Sequence, residues 1–309
     1  MSAAAHYPVM LPEMLDWLAP KQGGIYVDGT FGAGGYTRAI LSAADCRVFS
    51  IDRDPSTERF ADELKQSFPD RFVWLLGNFG DMCELLAAQG VAQVDGVVLD
   101  LGVSSMQIDE ASRGFSFRFD GPLDMRMSGQ GMSVADVVAS ADEAELADIL
   151  YYYGEEKMSR AVARAIVAAR NETPITRTSQ LADIIRSVVG RGAQKTDPAT
   201  RSFQALRIHV NQEFQAIDSG LAAAEKLLAP GGRLVVVTFH SLEDRIVKRF
   251  THSRCGKLGE SSRHLPEKAM SQAPRFFCPK PEKRTASEQE LAQNPRSRSA
   301  TMRMMEAAQ

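Results

Sequence analysis

Three aspartates stand at the ends of apolar runs, and their recurrence is the chemical signature of this chain. Asp28 ends Ile25-Tyr26-Val27, Asp52 ends Val48–Ile51, and Asp100 falls near the close of Val94–Leu101. Asp28 is followed by Gly29, Gly32, Gly34 and Gly35, small residues that let backbone turn tightly from a strand into a helix and lie against a ligand. A carboxylate at the tip of the second strand is a two-pronged acceptor for the vicinal hydroxyls of a ribose. Phe79, just after a third apolar run, is flat enough to lie against an adenine face, although a lone Phe serves as plain core equally well. Together these residues point to an adenosine-containing cofactor.

The glycine order narrows the choice. Dinucleotide binders favour GxGxxG around a pyrophosphate, whereas Gly29–Gly34 reads GxxGxG. A turn not shaped for a pyrophosphate suits S-adenosylmethionine, which has no phosphate, and D-x-x-x-G-x-G (Asp28 to Gly34) is the order in methyltransferases with this kind of sheet. The competing reading is that the glycines only pack helix against sheet. Asp100, at the carboxyl end of the fourth strand, stands where open α/β sheets bind ligands. It can hold the amine of the cofactor's amino-acid arm or accept a hydrogen bond from the group being methylated.

The elements that must position these residues alternate. Strands are expected at Ile25–Asp28, Arg47–Asp52, Phe72–Leu76 and Val94–Leu101, with helices at Thr37–Ala44, Ser56–Ser67 and Met82–Ala88 between them. This is the pattern of a parallel sheet with right-handed crossovers. Ser104–Gly131 then reads as an extended loop. Ser133 to Val189 has helical periodicity, with N-cap spacing at Ser133/Asp136 and Ser140/Glu143, and Gly190–Thr200 is a polar connector. A helix over Phe203–Leu228 and a strand at Gly231–Phe239 restore the α/β pattern. The expected fold is a doubly wound α/β sheet with an inserted, mainly α-helical domain. Its parts are a sheet domain over 1–105, the insert over 106–205 and the rest of the sheet domain over 206–309.

At 309 residues the chain has length for about two domains. It has no long apolar run and no signal-peptide pattern, so no membrane partner is expected and the cytoplasm is the default. Four widely separated cysteines, Cys46, Cys83, Cys255 and Cys278, form no CxxC pair, so neither a disulfide framework nor a metal site is expected. The net charge of −3 hides an asymmetry: Arg245–Gln309 holds 14 Lys/Arg against 6 Asp/Glu. A polyanionic partner and a solvated basic tail account for that equally well.

Taken together, these residues resemble the bacterial 16S rRNA (cytosine-N4)-methyltransferase family (RsmH/MraW) nearly end to end. The matching blocks are His6-x-Pro8-Val9-Met10-Leu11, DGTFGAGG at 28–35, IDRDP at 51–55, LDLGVSS at 99–105, RGFSFR at 113–118 and DGPLDMRM at 120–127. They continue with TRSFQALRIHVNQE at 200–213, FHSLEDRIVK at 239–248 and NPRSRSA at 294–300. The resemblance implies a Rossmann-like class I S-adenosylmethionine-dependent methyltransferase fold. It implies S-adenosylmethionine as cofactor, with contacts from Gly34, Gly35, Tyr36, Asp52, Phe79, Asp100 and Gln107. Tyr36 stands where many relatives have His, and 255–293 matches poorly. The implied substrate is a decoding-centre cytidine of 16S rRNA, within the small ribosomal subunit; a homodimer is left open.

The exocyclic amine of cytosine is a poor nucleophile that needs hydrogen-bond acceptors and a route for its proton. Many amino-methyltransferases supply an acid or amide followed by Pro-Pro-aromatic. Here that place reads Asp100-Leu101-Gly102-Val103, so Asp100 is the first candidate acceptor, with Asn211, His240 and Asp124 in reserve. Phe115, Phe117 and Phe119, interleaved with Arg113, Ser116 and Arg118, read either as an aromatic and basic platform for RNA or as an apolar hairpin face. Arg201 and Arg207 are candidate phosphate contacts, and Arg160, Arg164 and Arg170 lie on a helix face that is either solvated or RNA-facing. The alternatives to a methyltransferase are a noncatalytic RNA-binding ribosome-assembly factor and an NAD-dependent oxidoreductase.

Overall fold

The computed structural model describes residues 8–190, 196–256 and 274–309. His6 and part of the polar connector after Gly190 lie outside these residues. The chain divides into two compact units, Met1–Gly102 with Phe214–Gln309, and Val103–Glu213.

The first unit opens with α1 (Leu11–Leu18), then alternates β1 (Ile25–Asp28), α2 (Gly35–Ala43), β2 (Arg47–Asp52), α3 (Glu58–Ser67), β3 (Phe72–Leu76), α4 (Met82–Ala87) and β4 (Val94–Asp100). The second unit is helical: α5 (Ser105–Asp109), α6 (Val134–Ser140), α7 (Glu143–Gly154), α8 (Ser159–Glu172), α9 (Thr178–Val189) and α10 (Thr200–Asn211). The chain returns through α11 (Glu213–Leu227), β5 (Leu228–Thr238), α12 (Ser241–Arg254), β6 (Phe276–Phe277), β7 (Arg284–Thr285), α13 (Glu288–Gln293) and β8 (Thr301–Ala307).

The strand order is β3-β2-β1-β4-β5-β8-β6, with β7 also on β8. β1 to β5 run parallel, and β8 pairs antiparallel to β5 with Val235 opposite Met304. That order, with its reversal between β1 and β4, is the Rossmann-like class I methyltransferase arrangement. Successive strand residues serve opposite faces. Val27, Phe49 and Leu99 join α4, α11 and α12 in one apolar layer, while Tyr26, Val48 and Val98 join α1, α2 and α3 in the other. Because helices cover both faces, these strands are apolar without alternation, as their sequences are. The second unit has a core of its own, in which Leu146, Leu150, Ile166, Leu181 and Leu206 are fully buried.

Several expectations need correction. β8 was not anticipated: Met302 to Met305 are all buried, so TMRMMEA shows no period of two. The single helix expected over Phe203–Leu228 is two, because Gln212 adopts a left-handed φ of 49° between them. The border expected at 205/206 therefore falls inside α10. Asp142, not Ser140, caps α7, its carboxylate accepting from Glu145 N at 2.8 Å. Ser133 does form the expected capping box with Asp136. Cys255 and Cys278 are disulfide-bonded, with Cα atoms 6.1 Å apart. Their separation of 23 residues matches no motif, and folding brings the C-cap of α12 against the residue after β6. No helix among the described residues is long and apolar enough to cross a membrane.

Arg303 on β8 is almost fully buried and grips Asp244 of α12 with two hydrogen bonds of 2.7 and 2.9 Å. Arg303→Met strands that carboxylate, and should cost about 3 kcal/mol. Urea unfolding followed by tryptophan fluorescence checks this, since Trp17 and Trp74 both lie in the first unit.

Candidate functional site

The turn after β1 is built around a fully buried Asp28. One carboxyl oxygen accepts from Thr30 N at 3.2 Å and the other from Thr37 Oγ1 at 2.7 Å, and Thr37 Oγ1 lies 2.6 Å from Ser50 Oγ. The network thus ties the end of β1 to α2 and β2. Asp52 closes the turn from the neighbouring strand, accepting from Gly32 N at 2.7 Å and Asp54 N at 2.9 Å. Each of its oxygens retains lone-pair capacity for a ribose hydroxyl. Burial pushes both acids up to about 6, against the pull of these hydrogen bonds.

The glycines divide by purpose. Gly34 has φ 77°, and a Cβ there would come within 2.6 Å of Leu64 Cδ1 and 2.8 Å of Phe31 Cε2. A Cβ on Gly29 would collide with Leu99, and one on Gly35 with Pro8. Packing alone thus requires glycine at these three positions. Gly32 alone of the four has open space beside it, and its N–H is the one held by Asp52.

Asp100 ends β4, its own N–H donating to Thr30 Oγ1 at 2.7 Å. Its Oδ1 is shut off from solvent and has no hydrogen-bond partner among the described residues. Burial, then the charges of Asp28, Glu243 and Glu290, raises this carboxyl well above the usual range. Phe79 lies in a short 3-10 turn and packs against the core, its ring directly over Gly220 of α11. Part of the ring remains exposed. The carboxyl ends of β1, β2 and β4 therefore carry Asp28, Asp52 and Asp100, the strand-end positions expected from sequence.

Other candidates are committed elsewhere. The Tyr36 side chain is buried and its hydroxyl donates to Val9 O, so it faces the N-terminal segment instead of a ligand. His240 caps α12: Nδ1 accepts from Glu243 N at 3.4 Å, and Nε2 lies 2.9 Å from Glu243 Oε1 without hydrogen-bond alignment. Both ring nitrogens thus face Glu243, which sequence reading missed. Glu243 is almost fully buried and also accepts from Phe239 N and His240 N. The capping-box signal in His240-Ser241-Leu242-Glu243 could have found it.

In the second unit, Gln107 is buried and folds back in a capping box, its Oε1 accepting from Ser104 N at 3.1 Å. Asn211 is buried too. It accepts from Met127 N at 2.8 Å and donates to Met125 O at 2.7 Å and Arg207 O at 2.9 Å, so it staples a loop and is not an exposed acceptor. Asp124 is held by Arg126 through two 2.8 Å hydrogen bonds, and this lowers its pKa. Arg207 makes two 2.8 Å bonds to the buried Glu213, which takes its guanidinium out of contention as a free phosphate contact.

The segment around Phe115 forms no hairpin. Phe115 and Phe117 pack onto the second unit's core, with Phe117 edge-on to Phe203, while Phe119 is exposed. Arg113 stacks over Phe115 at 5.6 Å and donates to Arg126 O and Met127 O. Arg118 is exposed, as is Arg201. Arg164 pairs with Glu143 and Arg170 donates to Val138 O and Ala141 O, so that helix face is partly occupied.

Among the described residues no group of His, Cys, Asp or Glu is arranged to hold a metal ion. The acid-lined strand ends fit a cationic adenosine ligand: Asp52 offers acceptors to the ribose, and Asp100 has an unsatisfied buried oxygen for a positive group. A pyrophosphate would be repelled by the same carboxylates.

Comparison with known proteins agrees over the full length. The MraW methylase family matches residues 3–308. "Ribosomal RNA small subunit methyltransferase H" of Rhodospirillum rubrum is 56% identical over 305 residues, covering 97% of this chain and 94% of that protein. The protein of the same name from Rhodospirillum centenum is 58% identical over 301 residues, covering 97% and 92%. A solved rRNA methylase from Streptococcus thermophilus is 11% identical, covers 96% of this chain and 95% of its own, and has a TM-score of 0.40.

The Asn211 staple predicts that Asn211→Ala removes about 2 kcal/mol from the second unit. Amide hydrogen exchange should quicken in α6 to α10, while the affinity for S-adenosylmethionine stays as it was. Weakened cofactor binding with unchanged exchange would return Asn211 to the site.

Proposed function

The chain belongs to the MraW methylase family, and on that premise we propose that it is an S-adenosylmethionine-dependent methyltransferase of small-subunit ribosomal RNA whose acceptor is the exocyclic N4 of a decoding-centre cytidine in 16S rRNA. The observation that carries the reading is Asp100: a carboxyl at a strand end, with one buried oxygen that no described residue satisfies. Asp28, Asp52 and Asp100 suit a ligand with a ribose and two positive centres, and disfavour the phosphates of NAD.

S-adenosylmethionine, when bound, supplies an electrophilic methyl group on its sulfonium. The residues of this chain do the rest. Asp52 orients the ribose while also bracing the turn through Gly32 N. Phe79 borders the adenine. Asp100 would accept a hydrogen bond from the cytosine amine, drawing its lone pair out of conjugation and taking up the proton as the N–C bond forms and the donor's S–CH3 bond breaks, the electron pair returning to sulfur in the departing S-adenosylhomocysteine. Glu243 fixes His240 at the end of β5, and His240 acts through that placement and not as the proton acceptor. Gln107 supports the segment after Asp100 through its capping box. On the RNA side, Arg118 and Arg201 are the exposed cations that meet phosphate; Arg113, Phe115 and Arg207 hold the loops that present them. The substrate is 16S rRNA within the small ribosomal subunit.

Incubation with methyl-labelled cofactor and small subunits from a strain lacking this activity tests the reading. Label on N4 of one cytidine is the expected outcome, and label on another base or none at all would overturn it. Asp100→Asn keeps the shape and removes the base, so transfer should fall at least about 100-fold. A near-normal rate would take Asp100 out of the chemistry.

The raised carboxyls give a pH signature. Asp28 and Asp52 bind protons in the folded state up to about pH 6, well above their unfolded values. The folded form therefore holds more protons between about pH 4 and 6, and cofactor-free stability falls as pH rises through that window. Affinity for a cationic cofactor rises over the same interval as the carboxylates ionise. The thermal shift produced by S-adenosylmethionine should accordingly be larger at pH 7.5 than at pH 5.5.

A further inference from the structure

The basic balance of residues 245–309 falls on elements that the reaction scheme leaves unused. No acidic residue lies between Asp244 and Glu260 or between Glu290 and Glu306. The first stretch begins with Arg245, Lys248 and Arg249, exposed on α12. The second contains a short 3-10 helix, Pro295–Ser299, that leads into β8. There Ser297 and Ala300, three apart and so on one side, are buried, and Arg296 and Arg298 are left exposed. The turn is internally braced: Ser297 Oγ donates to Asn294 O at 2.7 Å, and Arg296 N donates to Asn294 Oδ1 at 3.3 Å. Among the described residues the Arg298 guanidinium has neither a hydrogen-bond nor an ion-pair partner.

Both stretches meet at the carboxyl end of the parallel strands. β8 runs antiparallel to β5 with Thr301 opposite Thr238, and Thr238 Oγ1 donates to Thr301 O at 3.2 Å. Arg298 comes three residues before Thr301, and α12 starts three residues after Thr238. Three residues span at most about 10 Å, so both elements leave the sheet beside one another. Arg303 binds Asp244, the neighbour of Arg245, through hydrogen bonds of 2.7 and 2.9 Å, which holds the start of α12 over β8. On the other side, Glu290 of α13 accepts from Met10 N at 2.8 Å, while Pro8 lies against Gly35 of the donor turn. The arginines therefore rim the end of the sheet at which Asp28, Asp52 and Asp100 stand.

We propose that Arg245, Arg296 and Arg298 form a phosphate-binding rim on the first unit that holds the RNA backbone beside the nucleotide being methylated. This rests on the ribosomal RNA reading above and adds to it a surface outside the helical unit. The carboxyls at the strand ends repel a polyanion from the mouth of the site. Cations at the edge of that mouth offset the repulsion, and the regularly spaced phosphates of a strand suit several cations carried on separate elements. Arginine is apt, because its planar fork donates two parallel N–H groups to one phosphate. Contacts to phosphate carry no sequence information. The rim thus fixes where the strand lies and leaves the choice of nucleotide to the site itself.

The test is fluorescence anisotropy of the full-length protein with a labelled single-stranded RNA of mixed sequence, titrated over a range of salt. Arg245→Gln combined with Arg298→Gln should weaken binding about tenfold at about 0.15 M salt, and flatten the log–log salt slope by about 0.7 for each lost phosphate contact. Affinity for S-adenosylhomocysteine, measured by isothermal titration, should stay as in the wild type. The control pair is Arg47→Gln with Lys65→Gln, exposed cations at the start of β2 and in the last turn of α3, at the opposite end of the sheet. It should leave RNA binding unchanged. Equal weakening by both pairs would reduce the effect to net charge and overturn the rim, as would an unchanged affinity in the rim variant. Loss of S-adenosylhomocysteine together with RNA would assign the arginines to the structure of the sheet end, and overturn it too. A wild type that binds no RNA would remove the RNA reading itself, and the rim with it.

Discussion

The burial of Asp28 is the constraint on which the rest of the donor side depends. A carboxyl with no access to water must be met by hydrogen-bond donors or by protons, and here Thr30 and Thr37 meet it, with Ser50 behind Thr37. Satisfying one residue therefore fixes the end of β1, the start of α2 and the middle of β2 relative to one another. Asp52 then fastens the turn at Gly32 from the next strand. The turn is rigid before any ligand arrives, and little ordering remains to be done on binding.

The same economy explains why the glycines carry less chemical meaning than their spacing suggests. Gly29, Gly34 and Gly35 are glycine because Leu99, Leu64, Phe31 and Pro8 occupy the space a side chain would need. Helix, strand and N-terminal segment press so closely on the turn that its conformation follows from packing. Ligand specificity resides in the carboxyls around it, which leave the strand ends negative and under-satisfied. A cationic adenosine ligand matches that environment where a pyrophosphate does not.

What could be read from the chain beforehand was whatever is encoded locally. β1, β2 and β3 have the expected bounds because each is a short apolar run closed by a turn signal, and Asp28, Asp52 and Asp100 stand out because an acid after such a run is conspicuous. Features set by distant partners stayed hidden. Asn211 looks like any helical amide until Met125 and Met127 are seen against it. Arg207 reads as a phosphate contact until Glu213 folds back onto it. The buried strand β8 was invisible for a related reason: covered on both faces, it lacks the alternation by which a half-exposed strand declares itself.

The position of β8 also governs the order in which the protein can be made. It follows all the parallel strands in the chain, yet it pairs along β5 in the interior of the sheet. Until it emerges, β5 presents an open edge of unpaired backbone groups. The helical unit, by contrast, is contiguous in the chain and finished long before. Synthesis therefore delivers the whole sequence of the helical unit before the sheet can be completed, and β5 gains its second neighbour only once β8 has followed.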